Sequence, residues 1–238
     1  MAVFKNGLRV QCASKSEGQF IAEEIFEEGV YCSHGVTVGA CALLLRRPFS
    51  RFFAQLPQGA LVFDIGANVG MFTLKAALSA TKPLLGGKST TIVAFEPSRA
   101  NFSLLARNVA TNAPIVGKVN AREALLDRHP ADLTRDSDAQ ESCKVLLVRL
   151  GAHKHATSST LTYYPAMPGN STLRPFEKLH QRHAMNPAAW KRMFVAHLES
   201  VRLVRLSDFL RRHWGYLTKR RGHRVIDLLK VQCVLHEL

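Results

Sequence analysis

The sequence predicts an α/β fold built on a parallel sheet, and three observations carry that prediction. An apolar run from Leu61 to Ile65, with Asp64 its one charge, runs directly into the turn Gly66-Ala67-Asn68-Val69-Gly70. Apolar residues at helical spacing then follow over 71–80, closed by Pro83 and the pair Gly86-Gly87. A second apolar run, Thr90 to Phe95, ends at Glu96-Pro97. Strand, tight turn, helix and strand in that order form the opening unit of a parallel sheet whose strands are buried on both faces.

The later elements extend the alternation. Ser98 is placed to cap a helix running through Asn112. Asn120 to Ser142 mixes acids, bases, Pro130 and small polar residues, which predicts a frayed helix and an exposed loop. Strand patterns resume at Lys144 to Leu150 and at Thr160 to Tyr164, the latter stopped by Pro165. Pro168, Gly169, Asn170, Pro175 and Pro187 make 166–189 an irregular segment with short helices at most, suited to a substrate lid. Val201 to Leu206 reads as a strand, Ser207-Asp208 as the cap of a short helix through His213, and Val225 to Leu229 as a final strand. The first sixty residues are less regular, with an acidic amphipathic piece at 21–28 and a turn at His34-Gly35, and they are expected to cover the sheet.

With 238 residues and 47% hydrophobic content, the chain has ample apolar material for a core and is no disordered tail. Its formal net charge of +14 is unevenly spread. Residues 151–238 hold 15 Lys and Arg against 5 Asp and Glu, together with 8 of the 10 histidines. That imbalance raises the prospect of an acidic partner, and the run Lys219-Arg220-Arg221-Gly222-His223-Arg224 is the place to look for nucleic-acid contact. No aromatic interleaving or RNA-binding signature accompanies it, so a solvated loop is the favoured reading and a nucleic-acid partner the weaker one. The apolar run Val36 to Leu45 falls well short of the roughly 20 residues a membrane-spanning helix needs, so no span is expected. Met1 to Val10 carries Lys5 and Arg9 with no apolar stretch behind it, so no secretory signal is expected either. Cys12, Cys32, Cys41, Cys143 and Cys233 form no C-x-x-C pair, which argues against structural zinc and a disulfide framework and for a reducing, cytoplasmic compartment.

The pattern that bears chemistry joins Asp64 to Gly70 with Glu96, at the exits of two successive strands. Glycines at a strand-to-helix turn permit positive φ and close approach of the backbone to a ligand, and the following helix presents unpaired N–H groups. An acid at the tip of the second strand is placed to accept both hydrogen bonds of a ribose diol. The ligand is therefore nucleoside-bearing and lies at the carboxyl ends of the strands. A dinucleotide is a poor fit, because Asn68 stands two residues after Gly66 where G-x-G-x-x-G requires a second glycine. A P-loop is excluded, since Gly86-Gly87-Lys88-Ser89 lacks the earlier glycine. Asp64 opposes a pyrophosphate and favours a cationic or amine-bearing ligand, and S-adenosylmethionine carries both a sulfonium and an α-amino group.

At these residues the chain resembles the FkbM family of S-adenosylmethionine-dependent methyltransferases. Asn6 to Arg9, Glu24 to Tyr31 and His34 to Val36 resemble the family's N-terminal region, Val62 to Leu74 its cofactor loop, and Phe95-Glu96-Pro97 its second-strand signature. Tyr163 to Pro165, Pro168 to Leu173, Leu206 to Leu210 and Ile226 to Lys230 continue the resemblance in order. In the family the last of these runs on into an Asp-x-Glu-Gly segment, a helix and further strands, whereas here Val231 to Leu238 follows. The resemblance thus implies a Rossmann-like methyltransferase fold lacking its last strands, with 1–60 as an N-terminal cover and 61–238 as the methyltransferase domain. It implies S-adenosylmethionine as cofactor, held by Asp64, Gly66, Ala67, Asn68, Gly70, Glu96 and Pro97, with Asp64 toward the methionine end and Glu96 on the ribose. It further implies methyl transfer to a hydroxyl of a small molecule or glycan.

Other residues carry weaker expectations. His153 and His155 follow the third strand and are of the type that serves as a base, but histidines in a basic polar loop are more often solvated. Asn170 and Ser171 in the lid are candidates for substrate contact. Trp190 and Trp214 are expected to pack rather than to stack bases, and Cys233 has no role. No catalytic residue is legible, nor is an oligomeric state. The readings from other classes are a catalytically inactive binding module, resting on the missing Asp-x-Glu-Gly segment, and a basic nucleic-acid-binding protein.

Overall fold

A computed structural model describes residues 2–4, 6–14, 18–19, 56–57, 59–80, 90–116, 119–121, 143–178, 186–217 and 226–231. The amphipathic piece at 21–28, the His34-Gly35 turn, the basic run 219–224 and residues 232–238, on which the departure from the family's continuation rests, lie outside them.

The chain opens with a small antiparallel ribbon, β1 (Ala2–Val3) and β2 (Arg9–Val10). Next come β3 (Ala60–Ile65), α1 (Met71–Ala80), β4 (Thr90–Phe95), α2 (Arg99–Thr111), the single turn α3 (Ala113–Val116), β5 (Val119–Ala121) and β6 (Cys143–Val148). After them come β7 (Gly151–Ala152), β8 (Thr157–Tyr163), α4 (Pro187–Met193), β9 (His197–Val204), α5 (Leu206–Leu217) and β10 (Leu228–Val231). Short 3-10 turns at Pro168–Asn170 and Pro175–Lys178 interrupt the segment between β8 and α4.

Five strands form a parallel sheet in the order β10-β3-β4-β6-β5. All six residues of β3 are buried, as a central parallel strand requires. The pleat sends alternate residues to two cores. On one face Ala60, Val62, Ile92, Ala94, Val145 and Leu147 pack under α1, α2 and the ribbon's Leu8 and Val10. On the other, Leu61, Phe63, Val93, Phe95, Leu146 and Val148 meet α5, where Phe63, Phe95 and Phe209 make a three-ring cluster with centroids 4.9 to 6.4 Å apart. This is a Rossmann-like α/β architecture, as the sequence predicts.

A second sheet, β7-β9-β8, stands beside the first, with β8 and β9 antiparallel. Leu161, Val201 and Leu203 form its own small core. The ribbon is tied to α2 by two asparagines one turn apart. Asn112 accepts from Arg9 N and donates to Arg9 O, and Asn108 accepts from Gln11 N and donates to Gln11 O.

Several element expectations need correction. β8 begins three residues before the predicted Thr160, and α5 begins at Leu206, ahead of the Ser207-Asp208 pair expected to cap it, and runs four residues past His213. Residues 119–121 form the edge strand β5 rather than the start of a frayed helix. β9 begins four residues earlier than predicted, because its exposed first half is ordered by pairing with β8 rather than by burial. The last strand occupies 228–231 instead of 225–229. Asp227 is spent on the approach, its carboxylate accepting from Leu61 N at 2.7 Å and its own N–H donating to Leu61 O. Trp214 packs against the α5 core and Trp190 stacks on Phe194, both as structural residues. No described helix is long and apolar enough to cross a membrane, and no cluster of metal-ligating side chains occurs among the described residues.

Candidate functional site

The turn after β3 is held in a conformation few residues tolerate. Gly66 lies at φ +74°, Asn68 at +52° and Gly70 at +90°. Glycine is free to adopt these angles, and asparagine is among the side chains that visit the left-handed region most readily. Gly66 N and Ala67 N both donate to Phe95 O, at 3.0 and 2.9 Å, which fastens the turn to the end of β4. At Gly70 a β-carbon would lie 2.5 Å from Leu105 Cδ1, so the close packing of turn on α2 also demands glycine. Asn108, reaching from α2, donates to Val69 O at 2.8 Å.

Glu96 leaves the tip of β4 and turns back toward this loop. Its Oε2 accepts from Asn68 N at 2.9 Å and its Oε1 from Ser98 N at 3.0 Å. The residue is only 5% exposed. Burial pushes its carboxyl up to about 7 from 4.5; the two backbone N–H groups, the Lys230 ammonium and the Asn101 side chain pull the other way and lose. The two backbone bonds and Asn101 do not exhaust the acceptor capacity of the carboxylate, which leaves room for a ligand donor.

The opposite wall comes from the second sheet. Gly151, Ala152, Leu161 and Leu203 face Pro97 and Asn101 across a cavity of about 300 Å³, closed above by Pro168, Gly169 and Ser171 to Leu173. The cover is anchored where Thr172 pairs with Thr162 in a short antiparallel bridge, and where Ser171 Oγ accepts from Tyr164 N. Glu199, on β9, accepts from Ser98 Oγ at 3.1 Å and from Arg99 N, so the second sheet also caps the helix that follows Glu96.

The predicted site residues divide by this geometry. Gly66, Asn68, Glu96 and Pro97 line the cavity, and Ala67 and Gly70 shape the turn behind it. Asp64, expected to face the methionine end of a cofactor, instead lies beneath the turn at 0% exposure. Its Oδ1 accepts from Lys230 Nζ at 2.7 Å and its Oδ2 from Thr73 Oγ1 at 2.6 Å, so both oxygens are engaged inside the protein. Ser171 lines the cavity and Asn170 sits beside it. The His153 ring meets the His155 backbone, Nδ1 accepting from His155 N, on the exposed side, and neither histidine is in the cavity lining. Sequence reasoning missed Asn101, Glu199 and Lys230. Lys230 carried a usable signal, a lysine within an apolar strand of a chain whose neighbouring apolar strand holds a lone acid.

One polar atom in the lining has no partner among the described residues, the buried Asn68 Oδ1. An acceptor of this kind beside a buried carboxylate suits a ligand rich in donors, such as a ribose diol and an ammonium group.

Comparison with known proteins bears on what that ligand is. The chain is 32% identical over 225 residues to Methyltransferase sdnD of Sordaria araneosa, covering 92% of this chain and 65% of that protein. It is 30% identical over 200 residues to Methyltransferase 1 of Beauveria bassiana, covering 83% and 58%. Over 115 residues it is 33% identical to the 31-O-demethyl-FK506 methyltransferase FkbM of Streptomyces tacrolimicus, covering 48% and 34%. The chain thus spans about three-fifths of the length of the first two relatives. No family model and no solved structure matches it.

Proposed function

We propose, from these similarities, that the chain is an FkbM-type methyltransferase, that it binds S-adenosylmethionine in the cavity between its two sheets, and that it transfers the methyl group to a hydroxyl oxygen. The observation that supports the reading is the joining of the positive-φ turn to Glu96 by the Asn68 N–H, which brings a buried carboxylate and a glycine turn to one cavity.

S-adenosylmethionine supplies an electrophilic methyl on a sulfonium. The chain's own residues bind and orient it. Glu96 accepts from the ribose hydroxyls. Gly66, Ala67 and Asn68 let the backbone approach, and Gly70 with the start of α1 sets the floor. Asn68 Oδ1 is the acceptor available to a further donor of the ligand, and Pro97, Leu161, Leu173 and Leu203 supply apolar walls for the base. Asp64 holds the turn from beneath. Methyl transfer to oxygen depends chiefly on alignment of acceptor and sulfonium, so the cover at 168–173 bears on the rate by positioning the acceptor. The acceptor class proposed is a small molecule or glycan bearing a hydroxyl; its oxygen would take the methyl as the methyl–sulfur bond breaks and S-adenosylhomocysteine leaves, and its proton would pass to water or to a base.

Isothermal titration with S-adenosylmethionine and S-adenosylhomocysteine tests the reading. Binding by the wild-type chain and at least a tenfold loss in Glu96→Ala are expected. A folded protein that binds neither ligand would sink the proposal. Binding without turnover on any hydroxyl acceptor would leave a cofactor-binding module as the function.

A further inference from the structure

A lysine ammonium is costly to bury unless an opposite charge and hydrogen-bond acceptors replace its water. Lys230 is 4% exposed, on the strand that borders β3, in parallel register with Asp64. Its Nζ donates to Asp64 Oδ1 at 2.7 Å and to Gly66 O at 2.8 Å, and it lies 5.5 Å from the Phe72 ring centroid at the start of α1. The turn is thereby gripped from two sides. Its N–H groups are taken by Phe95 O from β4, and its first carbonyl by Lys230 from β10.

The charges matter as much as the bonds. Three ionisable side chains are buried around the turn, Asp64, Glu96 and Lys230. Lys230 pairs with Asp64 at contact distance, and of that pair it is the ammonium that acts on Glu96. The groups facing Glu96 are Lys230 from β10, the already paired Asp64 from β3, Asn101 from α2, and Glu199 from β9 acting through Ser98. Lys230 is the one cation among the causes that favour its ionised form.

We propose that Lys230 is the positioning residue of the cofactor turn: its ammonium fixes the Gly66 carbonyl, pairs with Asp64 and is the cation that faces the Glu96 carboxylate among the described residues. The proposal rests on the reading of the cavity as an S-adenosylmethionine site. It gives Asp64 an indirect part, as the anchor that holds Lys230 in place.

The test is the pH profile of S-adenosylhomocysteine binding, measured by titration calorimetry between pH 5.5 and 8.5. The proteins are wild type, Lys230→Met, and the double variant Asp64→Asn/Lys230→Met, which removes the pair together and leaves no uncompensated buried charge. Wild-type affinity rises with pH and levels off above about 7, as Glu96 ionises. In both variants the midpoint moves up, and a displacement on the order of one pH unit, the low end for losing a nearby opposite charge, makes binding at pH 7 roughly fivefold weaker. Weakening by the same factor at every pH, with an unmoved midpoint, would reduce Lys230 to a structural residue and overturn the proposal. Should the wild type bind at no pH, the methyltransferase reading itself falls. The claim about Lys230 is then decided by carboxylate NMR of Glu96 in the free protein, whose titration midpoint must rise in both variants and overturns the claim if it does not.

Discussion

Replacing Glu96 by glutamine separates what this residue does for the ligand from what it does to the fold. In the native protein burial outweighs four favourable contacts and holds the carboxyl near 7, against 4.5 without the protein around it. A group whose native pKa is raised binds more protons folded than unfolded between those two values, so stability is fullest below about 4.5 and declines as pH rises through 7. Each pH unit of that interval is worth about 1.4 kcal/mol, so the full displacement amounts to about 3 kcal/mol. That is a large share of a typical domain's 5–15 kcal/mol. Glutamine does not titrate, and the variant should lack this decline. Urea unfolding of both proteins from pH 4.5 to 8, followed by far-UV circular dichroism, measures it. The absolute offset is set by the amide N–H, which meets a backbone N–H where a carboxylate oxygen stood, and only the change with pH is diagnostic. The stability difference between variant and wild type should move by about 3 kcal/mol in the variant's favour across the range. A difference that stays flat within about 1 kcal/mol refutes the reasoning. One that moves the opposite way shows that the Asn68 and Ser98 N–H groups prevail over desolvation.

Three further outcomes follow from the same geometry. Gly70→Ala forces a side chain into φ +90° and sets its β-carbon 2.5 Å from Leu105 Cδ1 in the filled core, so thermal unfolding should report a loss of about 2–5 kcal/mol. The loss should shrink when Leu105 is also made alanine, since the clash then goes and only backbone strain remains. Asn108→Ala strips partners from Gln11 N, Gln11 O and Val69 O together, at a cost of about 2–4 kcal/mol in chemical denaturation. His213, at 1% exposure with both ring nitrogens unpartnered among the described residues, has its pKa lowered by burial and by Arg212. Native stability should therefore fall as pH drops below 6.5, and a His213→Phe variant should flatten that acid limb in pH-dependent melting; an unchanged limb would show that the imidazole is already solvated.

The fold was legible wherever local pattern and tertiary demand agree. β3 and β4 are mostly apolar because both sheet faces are covered, and α1 ends where predicted because Pro83 and the glycine pair stand beyond it. Boundaries failed where ordering comes from partners distant in sequence. The outer half of β9 is exposed and owes its strand geometry to β8, which no residue within it announces. β5 is three residues long and is defined only by β6, 26 positions downstream in register. The clasp of Asn108 and Asn112 on the N-terminal ribbon was equally hidden, since polar helix residues ordinarily signal a solvated face rather than a buried seam.

The candidate site shows the same division at finer scale. A glycine turn and an acid at the next strand tip are signals close in sequence to the chemistry they serve, and Gly66, Asn68, Glu96 and Pro97 do share one cavity. Asp64 is the instructive case. From the sequence its charge is unmatched, and an unmatched acid two residues before a glycine turn invites a cationic ligand. In the fold the match is supplied 166 residues later by Lys230. Desolvation decides between the two: a fully buried carboxylate needs partners inside the protein, and Asp64 has Lys230 on one oxygen and Thr73 on the other. The acid whose charged form lacks sufficient partners within the chain is Glu96, at the cavity, and its raised pKa reports a carboxyl that a donor-rich ligand would help to ionise. The ligand's positive and hydrogen-donating character is thus inferred from Glu96 and Asn68 Oδ1, while Asp64 and Lys230 account for why the turn that carries them holds its shape.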